Sequence, residues 1–325
     1  MEKIETLHSI ETLKELADPK RQTILRYLMA EPATLTQLGE RMGQSPAWVR
    51  HHVKSLEEAG WIQVHEVRVV SGVTEKFYKA IASAFLLQQL ILPKTEKPYI
   101  IFSGSHDTGI EHIAQILAPY LTLFTLPVGS LDGLVNLRQG LCHVSGSHLM
   151  DADGRFNTSY VRHIFPDRYV EIVAMANRTQ GLIVQKGNPK NITTLFDLLR
   201  SDVTFINRNP GSGTRLWIDK EFTDLGLPAS EVKGYAYYVT THSDATRMIQ
   251  TGKADATIGI QAAAHEADLT FLPLFEERYD LVFEHGHMRL LSPLIDYLQT
   301  ARFRKELESL SGYDTSVSGV KIPLE

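Results

Sequence analysis

The stretch FINRNPGSGTR (205–215) carries the densest chemical signal in the chain. Phe205 and Ile206 read as a short strand, and LWIDKEF after Arg215 reads as a helix. Ser212, Gly213, Thr214 and Arg215 therefore stand at a strand-to-helix junction. Backbone N–H groups at a helix start, small residues that let a ligand approach, hydroxyls and a guanidinium together suit an anion. Four other junctions share this make-up: Ser103, Ser105 and His106 in SGSHD (103–107), Ser130 after Gly129, Ser145, Ser147 and His148 in SGSH (145–148), and Thr241 with His242 after YYV. Arg178 could add a charge-assisted bond. One such junction is commonly no more than a helix cap. Five in one chain point to a compact, highly oxygenated anion.

Catalytic patterns are missing from the same residues. No Lys follows the last Gly of the 211–215 loop, so it is not a G-x-x-x-x-G-K-[ST] phosphate loop. There is no G-x-S-x-G elbow and no H-E-x-x-H helix. His285 and His287 in EHGH form an H-x-H pair, which reads as a surface turn rather than a metal centre. Acid–base chemistry would have to come from Asp107 or Asp151 with His106 or His148, and no spacing favours it over binding. The expectation is a binding protein with no catalytic residues, no metal and no required cofactor.

A second signal lies at 41–56, RMGQSPAWVRHHVKSL, which has three basic residues, two His and no acid. The chain as a whole carries a net charge of −5, so a local positive window suits contact with a polyanion such as DNA. The positioning elements are legible. DPKRQTILRYLMAE opens with Asp18 as N-cap and Pro19 at the first helical position. TLTQLGERM follows as a short amphipathic helix from Thr34. SPAWVRHHVKSLEEAG then starts at Ser45–Pro46 and stops at Gly60. Val49, Val53 and Leu56 fall on its inner face, leaving Ala47, Trp48, Arg50, His51 and Lys54 outside. WIQVHEVRVVSGVTEKFYKA reads as a hairpin around Gly72. Two helices about a tight turn, followed by a hairpin, make a winged helix-turn-helix that reads double-stranded DNA.

LPKTEKPY (92–99) has two prolines and no periodicity and reads as a hinge. Beyond it strands and helices alternate, with VEIVAMA, QGLIVQKG, LTFLPL and YDLVFEH read as separate strands, which predicts mostly parallel sheets in two lobes. In such sheets ligands bind beyond the carboxyl ends of strands. The division expected is 1–92 for DNA, 93–98 as linker and 99–325 for ligand. No apolar run reaches the roughly 18 residues of a membrane span, the first residues have no signal-peptide core, and the single Cys142 excludes an internal disulfide. The expectation is a cytoplasmic protein.

Two resemblances are carried by these residues. LADPKRQTILRYL, LTQLGERMGQSPAWVRHHVKSLEEAGWI and the wing ending in KFYKA resemble the ArsR-type winged-helix repressors over about eighty residues. That resemblance implies a homodimer on a pseudo-palindromic operator, with 45–58 in the major groove and Arg68 or Lys76 on phosphates. It departs from the metal sensors of that type, which carry paired cysteines in the helix before the turn. GSLDGLVNLRQG, VSGSHLMD, NRTQGLIVQKGNP, FINRNPGSGTR, GKADATIGIQAAA and EERYDLVFE resemble the periplasmic-binding-protein-like domain related to tungstate- and molybdate-binding proteins, also found fused to molybdenum-cofactor biosynthesis enzymes. The fold expected is an α+β winged helix-turn-helix followed by a two-lobed α/β periplasmic-binding-protein-like (type II) domain. The effectors implied are molybdate, tungstate or the molybdenum cofactor. Ser212-Gly213-Thr214 matches the oxyanion loop of the tungstate binders, while SGSHD is poorer in Thr than theirs and leaves room for a bulkier ligand. The function expected is a one-component transcription regulator; the alternative is an enzyme or cofactor-handling protein of molybdopterin metabolism with an accessory DNA-binding unit.

Overall fold

A computed structural model describes residues 4–7, 11–70, 72–87 and 89–324. The chain divides into two compact units, Met1–Pro93 and Lys94–Glu325. Thr95 and Lys97, read from sequence as part of the linker, belong to the second: Thr95 Oγ1 lies 3.1 Å from Thr122 Oγ1, and Lys97 Nζ donates to the Ala118 carbonyl at 2.6 Å.

The first unit contains strand β1 (Ile4–Leu7), helices α1 (Pro19–Ala30), α2 (Leu35–Met42) and α3 (Pro46–Glu58), and strands β2 (Ile62–Val70), β3 (Val73–Ala80) and β4 (Ala84–Leu87). Each helix starts on its own cap. Asp18 accepts from Lys20 N at 2.9 Å, Thr34 and Gln37 form a reciprocal capping box, and Ser45 Oγ accepts from Trp48 N at 3.2 Å. Gly43 takes φ 64°, the left-handed conformation that lets α2 turn into α3. Ile24, Leu28, Leu38, Val49, Val53 and Leu56 close one core with Trp61 and Tyr78 of the hairpin region. The segments 1–17 and 80–92 are read from sequence as dimer contacts. Within them β1 pairs in parallel with β4, so those backbone edges are met inside the chain; residues 1–3, 8–10 and 88 lie outside the described residues.

The second unit runs β5 (Tyr99–Gly104), α4 (Thr108–Leu117), β6 (Thr122–Pro127), α5 (Ser130–Arg138), β7 (Val144–Ser147), α6 (Thr158–Ile164) and β8 (Val170–Val184). It continues with β9 (Asn207–Arg208), α7 (Gly213–Asp224), β10 (Tyr238–Val239), α8 (His242–Gln250), β11 (Ala256–Ile260), α9 (Gln261–Glu266) and β12 (Thr270–Glu284). It ends with α10 (Met288–Leu298), α11 (Ala301–Glu308), β13 (Tyr313–Asp314) and β14 (Lys321–Ile322). The main sheet has the order β11-β8-β12-β7-β5-β6, with β13 and β14 also on β8.

This corrects two expectations. The sheet is mixed: β5 is parallel to β6 and β7, whereas β12 is antiparallel to β7 and β8, and β11 is antiparallel to β8. The four apolar runs read as separate strands are two, β8 and β12, each 15 residues long. Their polar middles, NRTQ and EER, are not turns; they continue the strands from one lobe into the other. One core gathers around Ile100, Phe102, Ile113, Leu281 and Phe303, the other around Phe205, Ile218, Phe222 and Ile258. The crossing between the two cores is where the polar residues collect.

Candidate functional site

The DNA-reading candidates sit on α3 and the hairpin. Ser45, Ala47, Arg50, His51 and Lys54 are exposed, and Trp48 is half-buried, with Lys20 Nζ 5.3 Å from its ring and His52 4.3 Å away. His52, which sequence reasoning passed over, is buried and lies 3.5 Å from Asp18. Burial lowers its pKa, with Asp18 pulling the other way. On the hairpin, Arg68 pairs with Glu66 and stacks on Phe77, and Lys76 is exposed.

In the second unit the lobes touch. Leu131 N donates to the Gly211 carbonyl at 3.0 Å and Asn209 Nδ2 to the Val128 carbonyl at 2.7 Å, bringing the starts of α5 and α7 together. Behind this closure runs a buried polar chain. Ser105 Oγ is 2.9 Å from His148 Nε2, and His148 Nδ1 is 2.5 Å from Glu277 Oε2. The other Glu277 oxygen accepts from Arg178 and, at 2.9 Å, from Gln180, whose amide also reaches Thr214 Oγ1 at 3.0 Å. Arg178 donates as well to Asp107 at 2.5 Å and lies over the Tyr279 ring. Burial alone would raise the Glu277 carboxyl, but Arg178 and His148 outweigh it and hold it at about 2. Burial lowers Arg178 too, yet Glu277 and Asp107 raise it more. His148 is lowered by burial against the pull of Glu277. Ser130 Oγ accepts from His148 N at 3.2 Å, and Gly213 packs so closely that a Cβ there would come 2.6 Å from the His148 ring.

The residue that changes the reading is Arg208. It is buried, and its Nη1 lies 2.8 and 2.9 Å from the two His242 ring nitrogens while Nη2 donates to the Thr240 carbonyl at 2.8 Å. Its Nε has no partner, and among the described residues no carboxylate pairs with it. Burial, then repulsion from Arg178, lowers its pKa to about 10, so it stays a cation at neutral pH. His242 is pushed well below the usual imidazole range by burial and then by Arg208, which leaves it neutral. An unpaired buried cation is costly unless something negative joins it. Between the lobes lies a pocket of about 280 Å³ whose lining includes the carboxylates Asp107, Glu111 and Asp244. His106 and Pro127 line it from one side, Thr241 and Asp244 from the other, and the His106 ring is 6.1 Å from that of His242.

The positive ends of helices bear on the same region unequally. Asp107 caps α4 with its carboxylate, accepting from Ile110 N at 2.9 Å. Gly129 gives α5 no side-chain cap, and α7 and α8 are capped by the hydroxyls of Ser212 and Thr241. Of these three starts, α5 and α8 carry an acid in the first turn, Asp132 and Asp244, and only that of α7 has none to offset its partial positive charge.

The same architecture occurs in proteins with known descriptions. The PBP superfamily domain matches residues 112–299. The chain belongs to the PBP superfamily. A helix-turn-helix domain matches residues 16–64, so a DNA-binding type of domain precedes the PBP domain. An uncharacterized Bacillus subtilis protein, YvgK, is 39% identical over 233 residues, covering 70% of this chain and 75% of its own length. A phosphate ABC transporter substrate-binding protein from Clostridium perfringens, solved with bound phosphate, aligns with a TM-score of 0.50 at 14% identity over 66% of this chain and 99% of its own. A tungstate ABC transporter protein from Geobacter sulfurreducens aligns at 0.48 and 17%, over 65% and 98%. The domain pairing is that of a regulator or binding protein. No helix among the described residues is long and apolar enough to cross a membrane.

Within this PBP domain, Ser105, His148, Ser130, Gly213, Thr214 and Arg178 converge, and His106 lines the pocket beside His242. Four candidates are placed elsewhere. Arg215 is spent on Asp219 at 2.9 Å and on the Tyr235 ring. Ser103 accepts from Asn136 of α5 at 2.9 Å, and Ser145 lies against Gly133 of the same helix, where a Cβ would come within 2.6 Å of its hydroxyl. Ser147 donates to Asn157 at 2.8 Å, in a network with Asp280. These serines hold α5 and α6 to the sheet. His285 and His287 are likewise engaged, with Glu171 at 2.5 Å and the His143 carbonyl at 3.2 Å. Sequence reasoning missed Arg208, Gln180, Glu277 and Tyr279.

Proposed function

We propose that the protein is a one-component transcription regulator of the cytoplasm. Its first unit binds operator DNA as a homodimer in the manner of ArsR-type repressors, and its PBP domain senses a small anion. Arg208 carries the reading: a buried guanidinium with no carboxylate partner among the described residues, held against His242 at the hydroxyl-capped start of α8, suits an anion. Molybdate, tungstate, phosphate and molybdenum cofactor are the effectors to compare. The ligand works by preferring closed lobes, because it shifts the equilibrium only by its differential affinity for the two forms. A thermal-shift panel of these anions, followed by operator affinity with and without the hit, tests the reading. Stabilisation that disappears in Arg208→Met is expected. An unchanged melting curve with every anion sinks it.

One observation favours a second reading. Ser105, His148 and Glu277 have the hydroxyl–imidazole–carboxylate order of a nucleophile relay. An enzyme or cofactor-handling role would make Ser105 reactive. Covalent labelling by a fluorophosphonate, lost in Ser105→Ala, would support it; an unlabelled protein leaves Ser105 a binding group.

A further inference from the structure

Side chains alternate across a strand. Glu277 and Tyr279 of β12 both meet Arg178. Arg278, between them, turns to the other face, where its Nε is 2.9 Å from Asp280 and its Nη2 donates to the Phe156 carbonyl at 3.2 Å. A pocket of about 420 Å³ opens on this side, and it shares no residue with the pocket between the lobes. Arg155, Arg162 and Arg278 line it, and none of the described residues lining it is an acid.

The nearby carboxylates hold the arginines without entering the pocket. Asp153 accepts from Arg155 Nη2 at 2.8 Å and Asp280 takes Nε of Arg278, yet neither aspartate belongs to the lining. A guanidinium anchored on one edge is pre-organised to offer its remaining donors elsewhere. Three forks in one wall exceed what a carboxylate with two oxygens can receive; a phosphate monoester, with three terminal oxygens and up to two charges, can accept from all of them. The Thr158 hydroxyl adds a further donor. The rest of the wall is apolar, from Phe156, Ile322 and Pro323. A bare oxyanion would leave that part untouched, whereas the volume is that of a site for a small organic molecule.

We propose that this pocket, behind the strands that cross between the lobes, is a second ligand site that takes an organic phosphate: the phosphate on the three arginines, the apolar body on Phe156, Ile322 and Pro323. The site stands apart from the anion-sensing reading of the cleft.

Calorimetry on the full chain tests this in the Arg208→Met background, which removes the cation of the cleft. The probes are adenosine monophosphate, phenyl phosphate and inorganic phosphate. At least one ester should bind there, about tenfold tighter than inorganic phosphate, because its body buries apolar surface. Adding Arg162→Glu should weaken the ester by about tenfold or more, the worth of one charge-assisted hydrogen bond. If that variant does not fold, Arg155→Met, at an exposed residue, should weaken the ester in the same direction. Failure of both esters to bind overturns the proposal. So does inorganic phosphate binding as tightly as the esters, or ester binding that the arginine variants leave unchanged. The cleft is judged separately, by anion stabilisation that the wild type shows and Arg208→Met lacks, so either site can fail alone.

Discussion

Two buried arginines of the second unit play opposite parts. Arg178 lies between Asp107 and Glu277, so Arg178→Met would strand two buried carboxylates. Breaking such a pair costs about 3–5 kcal/mol. Arg208 leaves no carboxylate behind, and Arg208→Met should cost little or even stabilise the unliganded protein. Urea melts of the two variants decide this; equal losses would mean that Arg208 is structural. Glu277 adds a pH signature. Its carboxyl is held at about 2 in the fold, below its ordinary value of 4.5. A depressed carboxylate stabilises fully above the unfolded pKa, and that contribution drains away as pH falls from about 4.5 to about 2. Urea midpoints taken down through this window should fall, and Glu277→Gln should fall less steeply over it. Parallel slopes in the two proteins would place the acid sensitivity on other groups.

At the scale of elements, closure depends on how near α7 comes to His148. Gly213 has ordinary helical geometry, yet a Cβ there would lie 2.6 Å from the His148 ring and 2.8 Å from its carbonyl oxygen. Gly213→Val should leave α7 folded and hold the lobes apart. Small-angle scattering of the second unit's contribution should show expansion, and ligand affinity should fall at least tenfold; an unchanged profile would mean that the lobes absorb the methyl groups. In the first unit, α3 was legible because everything that defines it is local: Ser45 and Pro46 start it, Gly60 stops it, and its inner face repeats at helical spacing. Arg50→Ala and Lys54→Ala should weaken operator binding and flatten its salt dependence, since each lost phosphate contact removes released counterions. Wild-type affinity and slope in both would exclude α3 as the reader. The PBP lobes were legible for the same local reasons, but the site between them was only half so. Arg178, Gln180 and Glu277 interrupt apolar runs, and a polar interruption reads as a strand end unless something covers it. Here both lobes cover it, which no local pattern records. Arg215 drew attention by standing at a helix start, yet Asp219 four residues on is the usual partner for a helical arginine. That spacing was available in the sequence, and it would have left Arg208 as the cation of the same motif.

At the scale of the whole molecule, the proposal joins two units that each fold around a core of their own. Coupling between them is then a free energy, and it must be reciprocal. If the anion changes operator affinity tenfold, the operator must change anion affinity tenfold in the same direction, about 1.4 kcal/mol either way. The sign is set by which lobe state accompanies the DNA-bound form, and either sign obeys the same equality. Calorimetric titration of the anion into the protein alone and into the protein–operator complex measures one side; anisotropy of labelled operator with and without saturating anion measures the other. Arg208→Met supplies the control, because it removes the anion while keeping the operator, so its operator affinity should match the unliganded wild type at every anion concentration. Two equal factors, both collapsing to one in Arg208→Met, are the expected result. An anion that binds with the same affinity whether or not operator is present would show that the PBP domain does not sense on behalf of the helix-turn-helix, and the regulator reading would fail even with both binding activities intact.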